Sequence, residues 1–289
     1  MELKETRDNM TKDKLGDRMK SNYENRYRMF LTRRTPVIIR IDGKAFHTFT
    51  RNMCKPWDVL LLHVMWKTAK YLCENIMGCK MAYTQSDEIS LLLIDYDRLA
   101  SQAWFDYNLQ KICSVSASMA TMAFNKFLHE EAQKTSNIIK FFHEETQKIG
   151  KNEIPAAYSE HAMFDARAFN IPESEVCNYF IWRQQDAIRN SVEMLGQSYY
   201  PQSKLQNKSC EDIKKMLLEE HQIDWNKFAT IFRMGVCVIR KEFMPKDHLK
   251  IALELHPEET DNWMIHRKIP IFTEDRNYIE QYLIPANTE

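Results

Sequence analysis

The sequence predicts a mixed α/β fold of the α+β class, in which long helices cover one antiparallel sheet. Short apolar runs of β-compatible residues are separated by longer segments with helical periodicity, and the two periods distinguish strands from helices. The strand-like runs are residues 36–42, 79–83, 89–95 and 163–171. The helix-like segments are residues 58–76, 108–129 and 172–195. The order along the chain is therefore β-α-β-β-α-β.

The size and charge of the chain limit what it can be. Its 289 residues suffice for one large domain or two closely packed ones, so we expect a globular protein. Its 40 basic and 40 acidic residues cancel, so a nucleic acid would be bound by a local basic surface rather than by net charge. Only 6 glycines occur, and neither GxxxxGKS/T nor GxGxxG is present, which excludes a glycine-rich phosphate loop.

The seven cysteines indicate a reducing compartment. They are odd in number, form no CxxC or CxxxC pair, and several lie in apolar runs, which is typical of buried thiols rather than of disulfides or a zinc site. The first residues lack the apolar core of a signal peptide, and no run approaches ~18 uncharged apolar residues. We therefore expect a cytoplasmic protein with no membrane partner.

The first half of the chain shows clear boundaries between elements. A lead-in helix is expected over residues 17–29, where Met and Tyr side chains recur at roughly helical spacing. The helix over residues 58–76 has an apolar face, and Gly78 is placed to terminate it. A tight turn at residues 85–88 joins the next two strands. The polar stretch at residues 130–153 predicts either a helical extension or an exposed insertion.

The element order predicts a split βαβ sheet, the layout of ferredoxin-like and polymerase palm domains, with two long helices on one face. Residues 1–195 would form this palm-like domain, with the lead-in helix and the polar insertion attached to it. Residues 196–289 would form a C-terminal α+β extension packed against it, or a continuation of the same domain. Its predicted elements are a polar loop at residues 198–207, a helix at 210–221 and a strand at 235–241.

Two acidic residues lie at the ends of apolar strands, Asp42 after the first strand and Asp87 in the hairpin. Carboxylates brought together at a buried strand edge repel each other unless a cation lies between them, and oxygen ligands of this kind suit Mg²⁺. Gly43 allows close approach to the backbone and offers its carbonyl as a further ligand. Glu88 would point away from Asp87 in a regular strand. The alternative is an ordinary turn at Asp42 and a hairpin tip at Asp87.

Several motifs resemble the tRNA(His) guanylyltransferase superfamily, whose members add nucleotides in the 3'-to-5' direction. Residues 40–49 read Arg-Ile-Asp-Gly-Lys-Ala-Phe-His-Thr-Phe, and residues 85–88 read Gln-Ser-Asp-Glu. The motifs Phe-Asp-Ala-Arg at residues 164–167 and Trp-Arg-Gln-Gln-Asp at residues 182–186 follow in the order of that family. The resemblance extends from about residue 14 to residue 243.

The resemblance implies a role for each matching residue. Asp42 and Asp87, with the carbonyl of Gly43, would hold two Mg²⁺ ions and carry catalysis. The nucleotide, GTP or ATP, would be bound by ten residues: Asp42, Gly43, Lys44, Ala45, Phe46, His47, Lys55, Asp58, Ser86 and Asp87. Contacts to phosphate or RNA would come from Arg40, Lys111 and Arg167. The family also implies a homotetramer built from dimers.

Simpler structural interpretations remain for several of these residues. His47 can be a half-buried, hydrogen-bonded side chain, and Lys55 can belong to a plain loop. Lys111 and Arg167 can be solvated charges on a helix and a strand. Arg183 and Asp186 stand at i and i+3 on one helix, so we expect them to pair with each other rather than with RNA.

One helix departs from the eukaryotic histidine-tRNA enzymes. Where those carry His-Ile-Asn-Asn-Leu-Tyr-Asn, residues 188–194 read Ile-Arg-Asn-Ser-Val-Glu-Met. The chain therefore resembles the guanylyltransferase-like branch, which fills in missing 5' nucleotides against the opposite strand. We expect Mg²⁺-dependent, templated repair of tRNA 5' ends. Addition of a single G to tRNA(His) is one alternative, and a non-catalytic RNA-binding or tRNA-chaperone protein is another.

Overall fold

The computed structural model describes residues 14–146, 161–255 and 262–284. The strands of these residues are Val37–Gly43 (β1), Cys79–Gln85 (β2), Glu88–Leu93 (β3), Phe164–Asn170 (β4), Val236–Arg240 (β5) and Trp263–His266 (β6). Their α-helices are Lys14–Asn22 (α1), Phe46–Phe49 (α2), Val59–Asn75 (α3), Leu109–Thr146 (α4), Glu173–Tyr199 (α5), Gln202–Leu205 (α6), Cys210–His221 (α7), Thr230–Arg233 (α8), Lys246–Leu255 (α9) and Asn277–Glu280 (α10).

All six strands belong to one sheet, in the order β4-β1-β3-β2-β5-β6, and every neighbouring pair is antiparallel. The first four strands have the order of a split βαβ unit, so the predicted palm-like α+β layout is confirmed. Strands β5 and β6 extend the sheet beyond β2. The C-terminal part of the chain therefore shares the sheet of the N-terminal part.

Each face of the sheet is covered by its own apolar cluster. Ile39 and Ile41 of β1 pack with the two long helices α3 and α4, which lie on one face as predicted. Ile38, which points the other way, packs with α5 on the opposite face, where Phe180 is fully buried. Helices therefore cover both faces of the sheet.

Local signals set the ends of the helices. Asp58 caps α3, and its carboxylate accepts from the backbone N–H of Leu61 at 2.9 Å. Asn108 caps α4 in the same way, because its side-chain oxygen accepts from the N–H of Lys111 at 3.1 Å. Gly78 follows α3 with a left-handed φ of 82°, as a terminator requires.

The N-terminal helix and the polar stretch differ from the simplest expectation. Helix α1 ends at Asn22, before the predicted residue 29, and a 3-10 turn Glu24–Tyr27 follows it. Phe30 then forms an isolated β-bridge with Asn108, so tertiary pairing replaces the continued helix. Helix α4 continues to Thr146, which confirms the helical extension over residues 130–146. The rest of that stretch lies outside the described residues.

The cysteines carry no disulfides in the structure. All seven cysteines are free, and Cys73, Cys79, Cys177 and Cys237 are buried, as predicted for reduced thiols. No helix among the described residues is both long enough and apolar enough to cross a membrane.

Candidate active site

The two aspartates lie at one edge of the sheet, where β1 ends and β2 turns into β3. Asp42 alternates with the buried Ile41, so its side chain is on the α5 side of the sheet. Asp87 occupies the two-residue turn between β2 and β3, and the N–H of Gly43 donates to its carbonyl at 3.2 Å. The structure therefore brings these two predicted residues together at adjacent strand ends.

Asp42 has one cationic neighbour. Nη1 of Arg167 on β4 lies 3.6 Å from its carboxylate, and Nη2 of the same residue lies 3.3 Å from Asp165. Arg167 is half exposed, so it can turn from these carboxylates toward a phosphate. Arg40 is directly opposite Arg167 in the register of β1 and β4, which places both predicted phosphate contacts near this edge.

The carboxylate of Asp87 differs from that of Asp42 in its partners. It accepts from the hydroxyl of Ser86 at 3.0 Å, and it forms no ion pair with the described residues. Burial raises the pKa of Asp87 above its ordinary value; the Ser86 hydroxyl opposes this shift, and repulsion from Asp42 adds a smaller increase. A carboxylate in this position would be stabilised by a bound cation, so the pair fits a divalent metal.

Two carboxylates are a small ligand set. The described residues contain no cluster of three or more His, Cys, Asp or Glu side chains arranged to hold a metal ion. Mg²⁺ differs from zinc in this respect, because it binds through one or two carboxylates and keeps water and substrate phosphates as its other ligands. The donor set of Asp42 and Asp87 therefore fits Mg²⁺ that arrives with a nucleotide.

Glu88, next in the chain, is neutralised by the protein itself. The Nε–H of Arg183 on α5 donates to its carboxylate at 2.7 Å, and both side chains are under a tenth exposed. Arg183 also binds Asp186 at 2.7 Å, which confirms the predicted pairing of these two residues. Burial raises the pKa of Glu88, and Arg183 opposes that shift. Glu88 is thus occupied by a structural ion pair.

A cleft of about 520 Å³ opens beside Asp87, next to the start of α3. Six of the predicted site residues line it: Phe46, His47, Lys55, Asp58, Ser86 and Asp87. His47 and Lys55 are exposed, so their polar groups are free to meet a ligand. The cleft is large enough for a nucleotide and reaches the carboxylate edge.

The remaining residues of the β1–α2 segment shape this edge. Ala45 has a left-handed φ of 55° and turns the chain into α2, and Lys44 is exposed. The ring of Phe46 packs against Phe124 in the core. A Cβ at Gly43 would lie 2.2 Å from that ring, so only glycine fits there without displacing the ring.

Asp58 and Lys111 are placed differently from the other predicted residues. Asp58 lines the cleft, but its carboxylate is buried and accepts from the N–H of Cys54 and Leu61, so it holds the loop in place. Lys111 is in the first turn of α4, about ten residues before Thr121. The hydroxyl of Thr121 accepts a hydrogen bond from the N–H of Phe164, which pairs with Gly43, so Thr121 marks the level of the site edge on α4. That separation is about 15 Å along the helix. The structure does not bring Lys111 to the cleft.

The cleft also contains residues that the sequence did not single out as site residues. They are Trp57, Asn190, Ser191, Met194, Gln197, Ser198, Phe232 and Arg233, among others. Asn190, Ser191 and Met194 belong to the α5 run that departs from the family pattern, so that departure could have marked them as neighbours of the ligand. Trp57 stands between Lys55 and Asp58 in the chain, and its position beside them was a usable signal.

Comparisons with known proteins agree with this geometry. A family model described as tRNAHis guanylyltransferase (Thg1) matches residues 16–172. The tRNA(His) guanylyltransferase of Debaryomyces hansenii is 30% identical over 227 residues, which cover 73% of this chain and 76% of that protein.

Solved structures give a longer match. A bacterial tRNA(His) guanylyltransferase (Thg1)-like protein in complex with ATP is 40% identical, with a TM-score of 0.76, and the match covers 94% of this chain and 100% of that one. A bacterial tRNA(His) guanylyltransferase (Thg1)-like protein in complex with GTP is 39% identical, with a TM-score of 0.71. That match covers 94% of this chain and 99% of the other. The chain therefore belongs to the tRNA(His) guanylyltransferase family.

Proposed function

We propose that this protein adds nucleotides in the 3'-to-5' direction to the 5' end of truncated tRNA, using the opposite strand as template. Membership of the family makes it a nucleotidyltransferase that acts on tRNA, not a non-catalytic RNA-binding protein. We propose in addition that the reaction depends on Mg²⁺.

The main support is that a nucleotide-sized cleft is lined by Asp87, which has no cation among the described residues, and that Asp42 lies at the adjacent strand end, where the N–H of Gly43 donates to the carbonyl of Asp87. Polymerase-type phosphoryl transfer needs little more from the protein, because catalysis is mostly positioning and charge neutralisation. The bacterial relatives with bound ATP and GTP support both nucleotides as ligands of this cleft.

The chain's own residues would position the reactants. Lys55 and His47 line the cleft and would contact the nucleotide, and the Ser86 hydroxyl lies beside Asp87 for a phosphate oxygen. Arg167 at the carboxylate edge would exchange its contact with Asp42 for a phosphate of the RNA or of the second nucleotide. Because Arg167 is half exposed, breaking its contact with Asp42 costs little free energy.

The reaction would take two steps. The 5'-phosphate of the RNA first attacks the α-phosphate of ATP or GTP, which releases pyrophosphate and leaves a 5'-linked nucleotide. The 3'-hydroxyl of the incoming nucleotide then attacks the RNA 5'-phosphate and displaces that activating nucleotide. Asp42, Asp87 and the Gly43 carbonyl would hold two Mg²⁺ ions, which neutralise the triphosphate and favour ionisation of the hydroxyl.

The repair reaction is favoured over addition of a single G to tRNA(His) by the α5 run. Asn190, Ser191 and Met194 of this run line the cleft. The run has Ile-Arg-Asn-Ser-Val-Glu-Met in place of His-Ile-Asn-Asn-Leu-Tyr-Asn, the sequence that the resemblance associates with addition of the extra G. The difference thus lies where a nucleotide would bind.

A substrate comparison tests the proposal. Purified protein would receive a tRNA that lacks its first nucleotide, and tRNA(His) with either A or C opposite the position of addition. We expect preferential repair of the truncated tRNA, with the added nucleotide complementary to the template. Efficient addition opposite A would instead establish the single-G activity. A homotetramer and a cytoplasmic location remain predictions, which gel filtration with light scattering and cell fractionation would check.

A further inference from the structure

Arg233 is a cation inside the cleft that has no acidic partner among the described residues. It is the last residue of α8 and lines the cleft together with Asp87. Within the described part of the chain it forms no ion pair, and its Nε is enclosed without a hydrogen-bond partner. Arg167 and Arg183, by contrast, both bind carboxylates. An enclosed guanidinium nitrogen with no acceptor is costly, so a ligand atom is the natural partner.

The backbone places Arg233 beside the turn that carries Asp87. Val236 pairs with Thr84 near the end of β2, so the residues before it lie beyond that strand, level with Ser86 and Asp87. Gly235 makes this approach possible, because it has a φ of 75° and a Cβ there would lie 2.5 Å from the carbonyl of Thr84.

Neighbouring side chains hold this position. The hydroxyl of Tyr83 donates to the carbonyl of Met234 at 2.7 Å, which fixes the chain next to Arg233. The guanidinium of Arg233 lies over the ring of Trp225, 4.9 Å from its centroid. Trp225 is buried, and its indole N–H donates to the hydroxyl of Ser191 at 3.1 Å. The α5 run that departs from the family pattern therefore supports the platform under Arg233.

We infer that Arg233 binds a phosphate group in this cleft. A guanidinium offers a planar fork of N–H donors that matches two phosphate oxygens, and one held on a ring loses little freedom on binding. The phosphate belongs either to the triphosphate of the nucleotide or to the 5' end of the RNA. Both present the same oxygens at the edge that carries Asp87. The identity of the phosphate rests on the proposed function. Arg233 would add a phosphate contact from the segment that precedes β5.

The test compares Arg233→Gln with the matched control Arg240→Gln. Arg240 is at the other end of β5, exposed, with its guanidinium 5.4 Å from the ring of Trp263 and outside the cleft. Equilibrium binding would be measured for GTP, inorganic triphosphate and guanosine, and for one RNA with a 5'-phosphate or a 5'-hydroxyl. Circular dichroism would establish that each variant is folded.

Loss of about 10- to 100-fold in the affinity for GTP and triphosphate, with guanosine unchanged, would support the triphosphate as the ligand. Loss of the preference for 5'-phosphorylated RNA would support the RNA end. Arg233→Lys keeps the charge and should lose less affinity than Arg233→Gln. Unchanged binding of every phosphate-bearing ligand would overturn the inference, as would an equal loss for guanosine. The readout is binding, so a failure of templated repair leaves it intact.

Discussion

The two ends of β3 carry acidic residues in opposite situations. Asp95, two residues beyond the strand, is 2% exposed and accepts from the backbone N–H of Arg34 at 2.7 Å and from the guanidinium of Arg33. Asp87, just before the strand, has the Ser86 hydroxyl but no cation among the described residues. Within the described residues, the fold neutralises the carboxylate that anchors the N-terminal segment and provides no cation for the one beside the cleft.

Glu88, the residue next to Asp87, shows the same difference between a paired and an unpaired carboxylate. Its carboxylate is also buried, and Arg183 neutralises it from α5. Burial alone therefore does not identify a functional carboxylate. Asp87 differs in that it is half-buried, has no cation among the described residues and lines the cleft.

The largest expected effect is on catalysis. Asp87→Asn and Asp42→Asn should each reduce nucleotide addition by about a thousandfold, because each removes a charge that would bind the metal ions. The rate of addition to a 5'-truncated tRNA would be measured under single-turnover conditions. Asp95→Asn is the matched control, and its rate should stay within about twofold of the wild type. Equal losses in all three variants would break the contrast between the two ends of β3.

The next effect is on stability. Arg183→Met should lower the free energy of unfolding by about 3 kcal/mol, because it removes the nearest cation from the buried Glu88 and leaves the more distant Arg40, 3.9 Å away. Urea denaturation followed by circular dichroism measures this change. Adding Glu88→Gln should recover part of the loss, since the buried charge is then removed. If Arg183→Met alone is as stable as the wild type, the ion pair of Arg183 and Glu88 does not stabilise the fold.

Asp95→Asn should have a smaller effect on stability. It removes the charge from the hydrogen bonds with Arg33 and Arg34, which predicts a loss of about 2 kcal/mol. The same denaturation experiment applies, with Asp97→Asn as a control at a partly exposed neighbour. If both variants unfold at the same urea concentration as the wild type, Asp95 does not anchor the N-terminal segment.

The smallest expected effect is a gain in stability when Asp87 is replaced by Asn. The folded protein raises the pKa of Asp87 above its ordinary value of 3.8, so above that pH the unfolded chain ionises this group more readily. The folded state therefore loses stability as the pH rises through the folded pKa. Asp87→Asn should slightly stabilise the metal-free protein at pH 7, and the difference from the wild type should vanish near pH 3.8. A destabilised variant at pH 7 would contradict the assigned pKa direction.

The sequence predicted the parts of the fold that local patterns encode. The strand that ends at Asp42 and the hairpin turn that holds Asp87 were both visible in the apolar periodicity and the turn residues. Strand β6 was not predicted, because its four residues are all buried and show no alternation. It is a strand because it pairs with β5, and that pairing joins residues far apart in the chain.

The candidate site shows the same division. Ser86 and Asp87 share one turn, so the sequence could mark them together. Arg233 and Asn190 come from helices far along the chain, and only the folded sheet brings them to the cleft. Arg233 had no local signal for its role, since its lack of a partner is a property of the tertiary structure.

The most direct test of the central claim is whether Mg²⁺ binds through Asp87. The thermal unfolding midpoint would be followed during a Mg²⁺ titration, with a non-hydrolysable GTP analogue present throughout. A bound ligand stabilises the folded state in proportion to the logarithm of its concentration once the site is filled. If Asp87 holds Mg²⁺, the midpoint rises for the wild type and Asp95→Asn and stays flat for Asp87→Asn. A rise in Asp87→Asn equal to that of the wild type would contradict it.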